Sequence, residues 1–213
     1  MAIDIMLDLE TWGTDPGRDL RSIGACVFDP VAGTVSDIDQ FYIATDNPKG
    51  YHGNGVHKHR FFPDEKGWAR KYSLTRDPRT VQWWSEQSDE AQAAFAGPVD
   101  LREALGRFDS WLGGLFNYEV ILAETDCIRL WSHGAATDGP WLAAAYKAVG
   151  LPVPWHYRAP RDTRTCFDMA GIEDHTAWLK QHPGPLGIPH HALDDAICQA
   201  RAVCAAMEMR VSE

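Results

Sequence analysis

The sequence predicts a single α/β or α+β domain, on the basis of its length and the order of its apolar patterns. Its 213 residues, 45% of them hydrophobic, are enough for one packed core and favour one domain over residues 1–213. Three strand-like runs with short connections come first in the chain. Helical and strand-like segments then follow in alternation, which is typical of helices packed on a sheet.

The first strand is predicted over Ile3–Thr11, where apolar and polar residues alternate. Because successive side chains of a strand point to opposite faces, Asp8 and Glu10 share one face, with Cα atoms roughly 6–7 Å apart. Two further strands are predicted over Ser22–Phe28 and Asp39–Thr45, with a turn rich in Pro and Gly between them. The short connections predict that the three strands form a meander.

A segment over about residues 48–80 has no clear period and is rich in Gly, Pro and His. Between Lys49 and Thr80 it carries eight Lys or Arg residues and three Asp or Glu residues. We predict a basic, aromatic loop excursion from the domain. Such a segment is compatible with a solvated loop, with a surface that contacts phosphates, or with a dimer arm, so a homodimer is one predicted assembly.

Helical patterns dominate the rest of the chain. In the helix over residues 99–116, Asp100 is the expected N-cap and Gly113 with Gly114 the expected stop. The other predicted elements are a helix over Thr80–Phe95, a strand over Cys127–His133, a helix over Asp138–Gly150 and a last helix over His191–Met209.

The composition argues against several classes of protein. No run of about 18 apolar residues is present, so no membrane span is predicted. The N-terminus has no basic region followed by an apolar one, so no secretory signal is predicted. The five Cys residues are dispersed without a CxxC pair, which argues against disulfides or structural zinc and predicts a cytoplasmic location. Taken alone, the net charge of −10 argues against a nucleic-acid partner.

Asp8 and Glu10 pose a chemical question, because two carboxylates on one strand face repel each other. If they are buried, each raises the pKa of the other or destabilises the strand. One solution is an edge strand with both acids in water. The other is a hard divalent cation such as Mg²⁺, which prefers carboxylate oxygen ligands.

Acidic residues at two further positions have either a structural role at a helix start or a role in metal binding. Asp138 opens a predicted helix, so it is either an N-cap or a metal ligand held in a defined direction. At the start of the last helix, acids complement the helix dipole. The spacing His190-x-Ala192-x-x-Asp195 is also able to present a proton acceptor and a metal ligand to one cavity.

The ordered set of these motifs resembles the DEDDh 3′–5′ exonucleases of the ribonuclease H-like superfamily. The set consists of Asp8-Leu-Glu10-Thr11 on a first strand, Asp138 opening a helix, and His190-x-Ala-x-x-Asp195 near the C-terminus. It covers nearly the whole chain. The sequence is most similar to the small bacterial and phage exoribonuclease-like branch, in which Thr80–Trp84 with Gln87 and the run Arg161–Thr165 also look familiar.

The resemblance implies a mixed β-sheet flanked by helices and a site for two divalent cations, Mg²⁺ or Mn²⁺. Carried over by position, the metal ligands are Asp8, Glu10, Asp138 and Asp195, and His190 is the general base. His191 remains an alternative base, because it stands four residues before Asp195 and could face it on a helix. The implied activity removes nucleoside 5′-monophosphates from the 3′ end of single-stranded or 3′-overhanging RNA, or DNA.

Substrate contacts are predicted at Thr11, Trp83, Trp84, Arg161 and Arg164. Adjacent tryptophans on a helix cannot both face the core, so one is able to stack on a base, although packing of both is the alternative. The arginines fit phosphates, or else surface ion pairs.

Two other functions fit the same fold. One is a catalytically silent ribonuclease H-like module that binds nucleic acid or protein, and the other is a phosphohydrolase of short oligonucleotides. All five positions of the motif are filled in this chain, which favours the enzyme over the silent module.

Overall fold

The three N-terminal strands form an antiparallel meander, as predicted. In the computed structural model, which describes residues 2–47, 62–63, 69–115 and 127–211, these strands are β1 (Ile3–Thr11), β2 (Leu20–Asp29) and β3 (Thr34–Asp46). β2 lies between the other two and pairs antiparallel with both. The meander therefore supplies three of the six strands of the main sheet, and β1 lies at one side of the meander.

The remaining described strands are shorter. They are β4 (Phe62–Pro63) and β5 (Ala69–Arg70), which form a separate hairpin, then β6 (Val99–Asp100), β7 (Ile128–Ser132) and β8 (Pro160–Asp162). The main sheet has the order β6-β3-β2-β1-β7-β8. β7 runs parallel to β1, and β8 parallel to β7. β1 is thus a central strand, so the edge-strand interpretation of Asp8 and Glu10 is wrong.

Seven helices are described, and they surround the sheet. They are α1 (Pro78–Ser85), α2 (Asp89–Ala93), α3 (Leu101–Leu115), α4 (Asp138–Val149), α5 (Thr163–Met169), α6 (His175–Lys180) and α7 (Ala192–Val211). α5 and α6 were not predicted from the sequence.

Two predicted helix boundaries are wrong for local reasons. The single helix predicted over Thr80–Phe95 is two helices, because Ser88 caps the second one by accepting a hydrogen bond from the Ala91 N–H. α3 continues through Gly113 and Gly114 to Leu115. Leu115 packs against the core, so burial outweighs the low helix propensity of the two glycines.

Alternation along β1 divides the interior into two layers. Ile5, Leu7 and Leu9 face one layer, in which α3 and α4 cover the sheet. Met6 faces the other layer, in which α7 packs across β1, β2 and β3. Asp8 and Glu10 share the face of Met6, so both carboxylates point toward the layer of α7. This six-stranded mixed sheet flanked by helices is the predicted single-domain α/β architecture.

The described part of the basic excursion is folded into the domain. Arg76 forms ion pairs with Asp19 at 2.9 Å and Asp46 at 2.7 Å, and Lys71 forms one with Asp100 at 2.7 Å. The rest of the segment, residues 48–61 and 64–68, lies outside the described residues. None of the described helices is long and apolar enough to cross a membrane.

Candidate active site

The candidate site begins at the carboxyl end of β1. In the β1–β2 pairing Asp8 lies opposite Gly24 and Glu10 opposite Ser22. Both side chains are half-buried under the N-terminal part of α7. Because β1 and β7 are parallel, their carboxyl ends meet at the same edge of the sheet, and the loop after β7 delivers Asp138 to that edge.

Asp138 ties helix α4 to β1. Its side chain is buried, and Oδ1 accepts a hydrogen bond from the Leu9 N–H at 3.1 Å, while Oδ2 accepts one from the Thr137 hydroxyl at 2.9 Å. Thr137, not Asp138, is the N-cap of α4, and it makes no side-chain capping bond. The N-cap interpretation of Asp138 is therefore wrong, and its carboxylate is directed toward the strand that carries Asp8 and Glu10.

The third part of the site comes from the start of α7. Ligand atoms of Glu10, His190 and Asp195 all lie within 4.8 Å of one another. His190 precedes the helix and has a φ of +62°, the only positive φ among the described residues other than glycine. Residues that are far apart in the chain thus converge on one site.

Burial dominates the electrostatics of the four carboxyl groups, and repulsion by neighbouring carboxylates adds to it for Asp8, Glu10 and Asp195. Burial raises the pKa of Asp8 well above its usual value, and the charges of Asp138, Glu10 and Asp195 raise it further. Burial, followed by Asp195 and Asp138, raises the pKa of Glu10 to about 8. Burial raises the pKa values of Asp138 and Asp195 to about 6. At neutral pH the protein alone is therefore unable to keep all four groups ionised without a cost in free energy.

The two adjacent histidines have different surroundings. His191 is buried and stacks on the Tyr42 ring with centroids 4.2 Å apart, and its Nδ1 accepts a hydrogen bond from the Asp194 N–H. His190 is half-buried, and its ring meets the edge of Trp83 at 4.8 Å between centroids. Burial lowers the pKa of both imidazoles. Only His190 belongs to the cluster with Glu10 and Asp195.

The two adjacent tryptophans differ in burial, as expected for neighbouring residues on a helix. Trp84 is buried, and its indole N–H donates to the Thr11 carbonyl at 2.9 Å, while the Thr11 hydroxyl donates to the Gly13 carbonyl. Trp83 is 41% exposed next to His190. Of the two, only Trp83 is accessible for stacking on a base, while Trp84 holds the chain directly after Glu10 in place.

The two predicted arginines also differ. The Nη1 of Arg161 donates to the carbonyls of Arg158, Ala159 and Pro160, so this side chain stabilises the chain around the start of β8. Arg164 is exposed, and its charge is close enough to Asp138 to lower the pKa of that carboxyl. Arg164 is therefore the better placed of the two to contact a phosphate.

Residues 3–207 match the family described as the 3′–5′ exoribonuclease Rv2179c-like domain. The chain belongs to this family. The resemblance to DEDDh exonucleases is thereby confirmed, and 3′–5′ exonuclease is confirmed as the enzyme class. Exonucleases of the DEDDh class generally use divalent metal ions. No curated protein matches the sequence.

Solved nucleases share the fold. Cell-death related nuclease 4 (CRN-4) has a TM-score of 0.62 at 13% identity, with 98% of this chain and 64% of that one covered. The nuclease domain of 3′hExo, a DEDDh family member bound to rAMP, has a TM-score of 0.55 at 12% identity, covering 97% and 92%. A 3′-exonuclease structure described as recognising the 3′ end of histone mRNA stem-loop has a TM-score of 0.54 at 10% identity, covering 98% and 83%. The chain spans about two thirds of the CRN-4 chain.

Two residues of this exoribonuclease-family chain lower the pKa values of the carboxyl groups, and neither was identified from the sequence. Gln199 donates from Nε2 to Asp8 Oδ1 at 2.8 Å, which lowers the pKa of Asp8 against the other effects. Arg21 is the extra residue of a β-bulge, because Glu10 pairs with Ser22 but Thr11 pairs with Leu20. The Arg21 charge lowers the pKa of Glu10. Neither residue lies in a motif, and no local signal in the sequence indicates either role.

Aromatic rings enclose the Arg21 guanidinium. Its Cζ lies 4.4 Å from the Trp12 ring centroid, 4.0 Å from that of Trp84 and 3.8 Å from that of Phe95. Its Nη1 is buried without a hydrogen-bond partner among the described residues. Burial lowers the pKa of Arg21 to about 10, so the group stays cationic at neutral pH beside Glu10.

Gly24 allows the last helix to reach the strand that carries the acids. A Cβ at this position would lie 2.1 Å from the Ala192 carbonyl carbon and 2.2 Å from the Leu193 nitrogen. Only glycine leaves room for such a close approach of two backbones. Because Gly24 lies opposite Asp8, this contact sets the distance between Asp8 and the start of α7.

Proposed function

We propose that this chain hydrolyses phosphodiester bonds from the 3′ end of single-stranded or 3′-overhanging RNA, or DNA, and releases nucleoside 5′-monophosphates. The observation that supports this function best is the convergence of four carboxyl groups and His190 on one edge of the sheet. The carboxyl groups are those of Asp8, Glu10, Asp138 and Asp195. The family description supports RNA as the substrate, and the similar structures described as bound to rAMP or as recognising an mRNA stem-loop support a polynucleotide partner.

The donor set suits two divalent cations, Mg²⁺ or Mn²⁺. Hard cations prefer carboxylate oxygens. The raised pKa values of the four groups reflect their burial and, for Asp8, Glu10 and Asp195, also the negative charges of neighbouring carboxyl groups. When bound, a pair of such ions acidifies a water molecule and stabilises the departing 3′ oxygen. We assign the ligand role to Asp8, Glu10, Asp138 and Asp195.

His190 is the proposed general base. Burial lowers its pKa, so the imidazole is neutral near pH 7 and has a ring nitrogen free to accept a proton. His190 takes the proton as the water oxygen forms its bond to phosphorus. The bond from phosphorus to the 3′ oxygen then breaks, and that oxygen takes up a proton from solvent water. Trp83, exposed beside His190, is the proposed stacking surface for a base, and Arg164 a proposed phosphate contact.

The test uses 5′-labelled single-stranded RNA and DNA of several lengths, with Mg²⁺ or Mn²⁺ and with chelator. We expect a ladder that shortens from the 3′ end, disappears with chelator, and is absent for Asp8→Ala. Asp37→Asn, an exposed acid of β3, is the matched control and should degrade RNA like the wild type. Degradation that survives Asp8→Ala, or no degradation of any substrate, would contradict the proposal.

Two further outcomes separate the alternatives. Cleavage confined to the shortest oligonucleotides would indicate a phosphohydrolase of short oligonucleotides. His190→Ala should lower kcat strongly with metal binding retained, whereas a greater loss in His191→Ala would make His191 the base. The proposed homodimer and cytoplasmic location stay predictions.

A further inference from the structure

The segment before α7 is held by one carboxylate outside the proposed ligand set. Asp194 is buried, with 3% of its surface exposed. Its Oδ1 accepts a hydrogen bond from the Leu186 N–H at 2.7 Å, and its Oδ2 accepts one from the Ile188 N–H at 3.1 Å. A single side chain of the helix thus satisfies two backbone donors of the segment that leads to His190.

Close packing fixes the same segment from a second side. A Cβ on Gly184 would lie 2.4 Å from the Asp194 Cγ and 2.6 Å from its Oδ1. Gly187, between the two hydrogen-bonded residues, has a φ of +63°. The path of residues 184–188 therefore follows the surface of Asp194, and both glycines are needed for that path.

The path of residues 184–188 determines where His190 lies, because His190 follows Ile188 by only two residues. His190 has a φ of +62°, a conformation that side chains with a Cβ rarely adopt and that persists only when surrounding contacts impose it. The contacts on this side include the two hydrogen bonds from the preceding segment to Asp194, and the Asp195 carboxyl accepts one from the His190 backbone N–H. On the other side, His190 meets Trp83 and Trp84 edge to face, with ring centroids 4.8 and 5.9 Å away.

We infer that Asp194 is a positioning residue that holds His190 in the orientation needed beside Glu10 and Asp195. The inference rests on the proposed role of His190 as the base. Asp194 acts through the backbone of residues 186–188, and its carboxylate oxygens are both engaged there. It is therefore distinct in role from its neighbour Asp195, which belongs to the cluster with Glu10.

The test is a double-mutant cycle between Asp194→Asn and His190→Ala, with exonuclease activity as the readout. An asparagine has one acceptor oxygen and presents an NH₂ group to the second backbone donor, so one of the two bonds is lost. We expect Asp194→Asn to lower kcat by about 10–100-fold, with KM and Mn²⁺ affinity little changed. In the His190→Ala background the same substitution should cost less than about twofold, because residues that act as one unit are non-additive.

The outcomes distinguish this inference from the proposed function. If His190→Ala leaves kcat unchanged, the proposed base is wrong. If His190→Ala lowers kcat but the two losses multiply, or if Asp194→Asn weakens Mn²⁺ binding as strongly as Asp195→Asn, the positioning role is overturned.

A measurement independent of activity accompanies the cycle. Hydrogen exchange of at least one of the Leu186 and Ile188 amides should accelerate in Asp194→Asn, and exchange of both should stay unchanged in the control Asp37→Asn. If Asp194→Asn does not fold, Gly184→Ala displaces the same segment from the other side and should show the same non-additivity with His190→Ala. Unchanged exchange together with unchanged kcat in the folded variant would also overturn the inference.

Discussion

Gln199, in the middle of the last helix, donates a hydrogen bond to Asp8 on the first strand at 2.8 Å. The bond joins residues 191 positions apart and aims one carboxylate oxygen of the proposed metal site. Gln199→Met keeps the shape of the side chain but removes the donor. We expect the Mn²⁺ concentration for half-maximal activity to rise by about 10-fold or more, since such supporting hydrogen bonds tune metal affinity.

Titration calorimetry with Mn²⁺ measures this effect directly. Gln181→Met, at an exposed position after α6, is the matched control and should bind Mn²⁺ like the wild type. Equal Mn²⁺ affinities for Gln199→Met and the wild type would show that the bond does not support the site.

Because α7 approaches β2 closely at Gly24, we expect the addition of one methyl group at this position to lower both stability and activity. Gly24→Ala places a Cβ 2.1–2.4 Å from the Ala192 and Leu193 backbone, so the helix and strand must separate. We expect the free energy of unfolding to fall by about 1–3 kcal/mol or more, with a loss of activity, because the same shift moves Asp195 away from Asp8. Urea unfolding and the exonuclease assay measure the two effects.

Gly106 provides the matched control for this substitution. It lies within α3, and a Cβ there meets nothing within 4 Å. Gly106→Ala should raise the free energy of unfolding by about 0.5–1 kcal/mol, because alanine is the better helix former. A Gly24→Ala protein as stable as Gly106→Ala would contradict the close approach.

The raised pKa values of the carboxyl cluster predict how stability depends on pH without metal. Glu10 has a pKa of about 8, and Asp138 and Asp195 have pKa values of about 6, all above their usual values. The folded protein therefore binds more protons than the unfolded chain, so this contribution is fully present below about pH 4 and is lost as the pH rises through 6 to 8. In chelator, the Tm should fall over this range.

Glu10→Gln removes one of the repelling charges. We expect it to raise the Tm at pH 8 without metal by about 2–4 °C for each kcal/mol of relieved repulsion, and to flatten the pH dependence. Mn²⁺ should raise the Tm of the wild type more at pH 8 than at pH 5.5. Glu86→Gln, an exposed position after α1, is the control. A pH-independent Tm in chelator would contradict the prediction.

We expect substitution of Asp4 to lower the stability of the protein without lowering its exonuclease activity. It shares the face of Asp8 but lies away from the site, where it accepts hydrogen bonds from the Trp131 indole N–H at 2.7 Å and from Arg129 at 3.1 Å. Asp4→Ala leaves the buried indole N–H without its partner, so we expect a loss of about 1–3 kcal/mol in the free energy of unfolding. The kcat of the folded fraction should stay within about twofold of the wild type, and a large fall in kcat would place Asp4 in the site.

We expect replacement of Arg21 by an uncharged residue to shift the pH dependence of activity. Its charge lowers the pKa of Glu10, so Arg21→Met should raise that pKa and move the acidic limb of the profile of metal-dependent activity upward by about one pH unit. Arg21→Lys keeps the charge and should restore most of the wild-type profile. An unchanged acidic limb in Arg21→Met would show that Arg21 acts only in packing.

Patterns in the sequence predicted those structural features that are determined by residues close together in the chain. The alternation in Ile3–Thr11 identified β1 and the shared face of Asp8 and Glu10, and the order of the motifs identified the family. The boundary at Ser88 was also readable in principle, because Ser88 and the acids after it form a local capping signal. The end of α3 was not readable, since burial of Leu115 keeps the helix going past two glycines.

The sequence alone therefore identified a strand with two acids on one face, an acid that opens a helix, and a histidine spaced from a last aspartate. Whether that strand was central or at an edge depended on its pairing with β7, more than a hundred residues away. The support that Asp8 receives from Gln199, Glu10 from Arg21 and His190 from Asp194 appears only in the tertiary structure. Gln199 and Asp8 lie 191 positions apart, and the other two contacts depend on a β-bulge and on the path of a loop, none of which leaves a period or spacing in the chain.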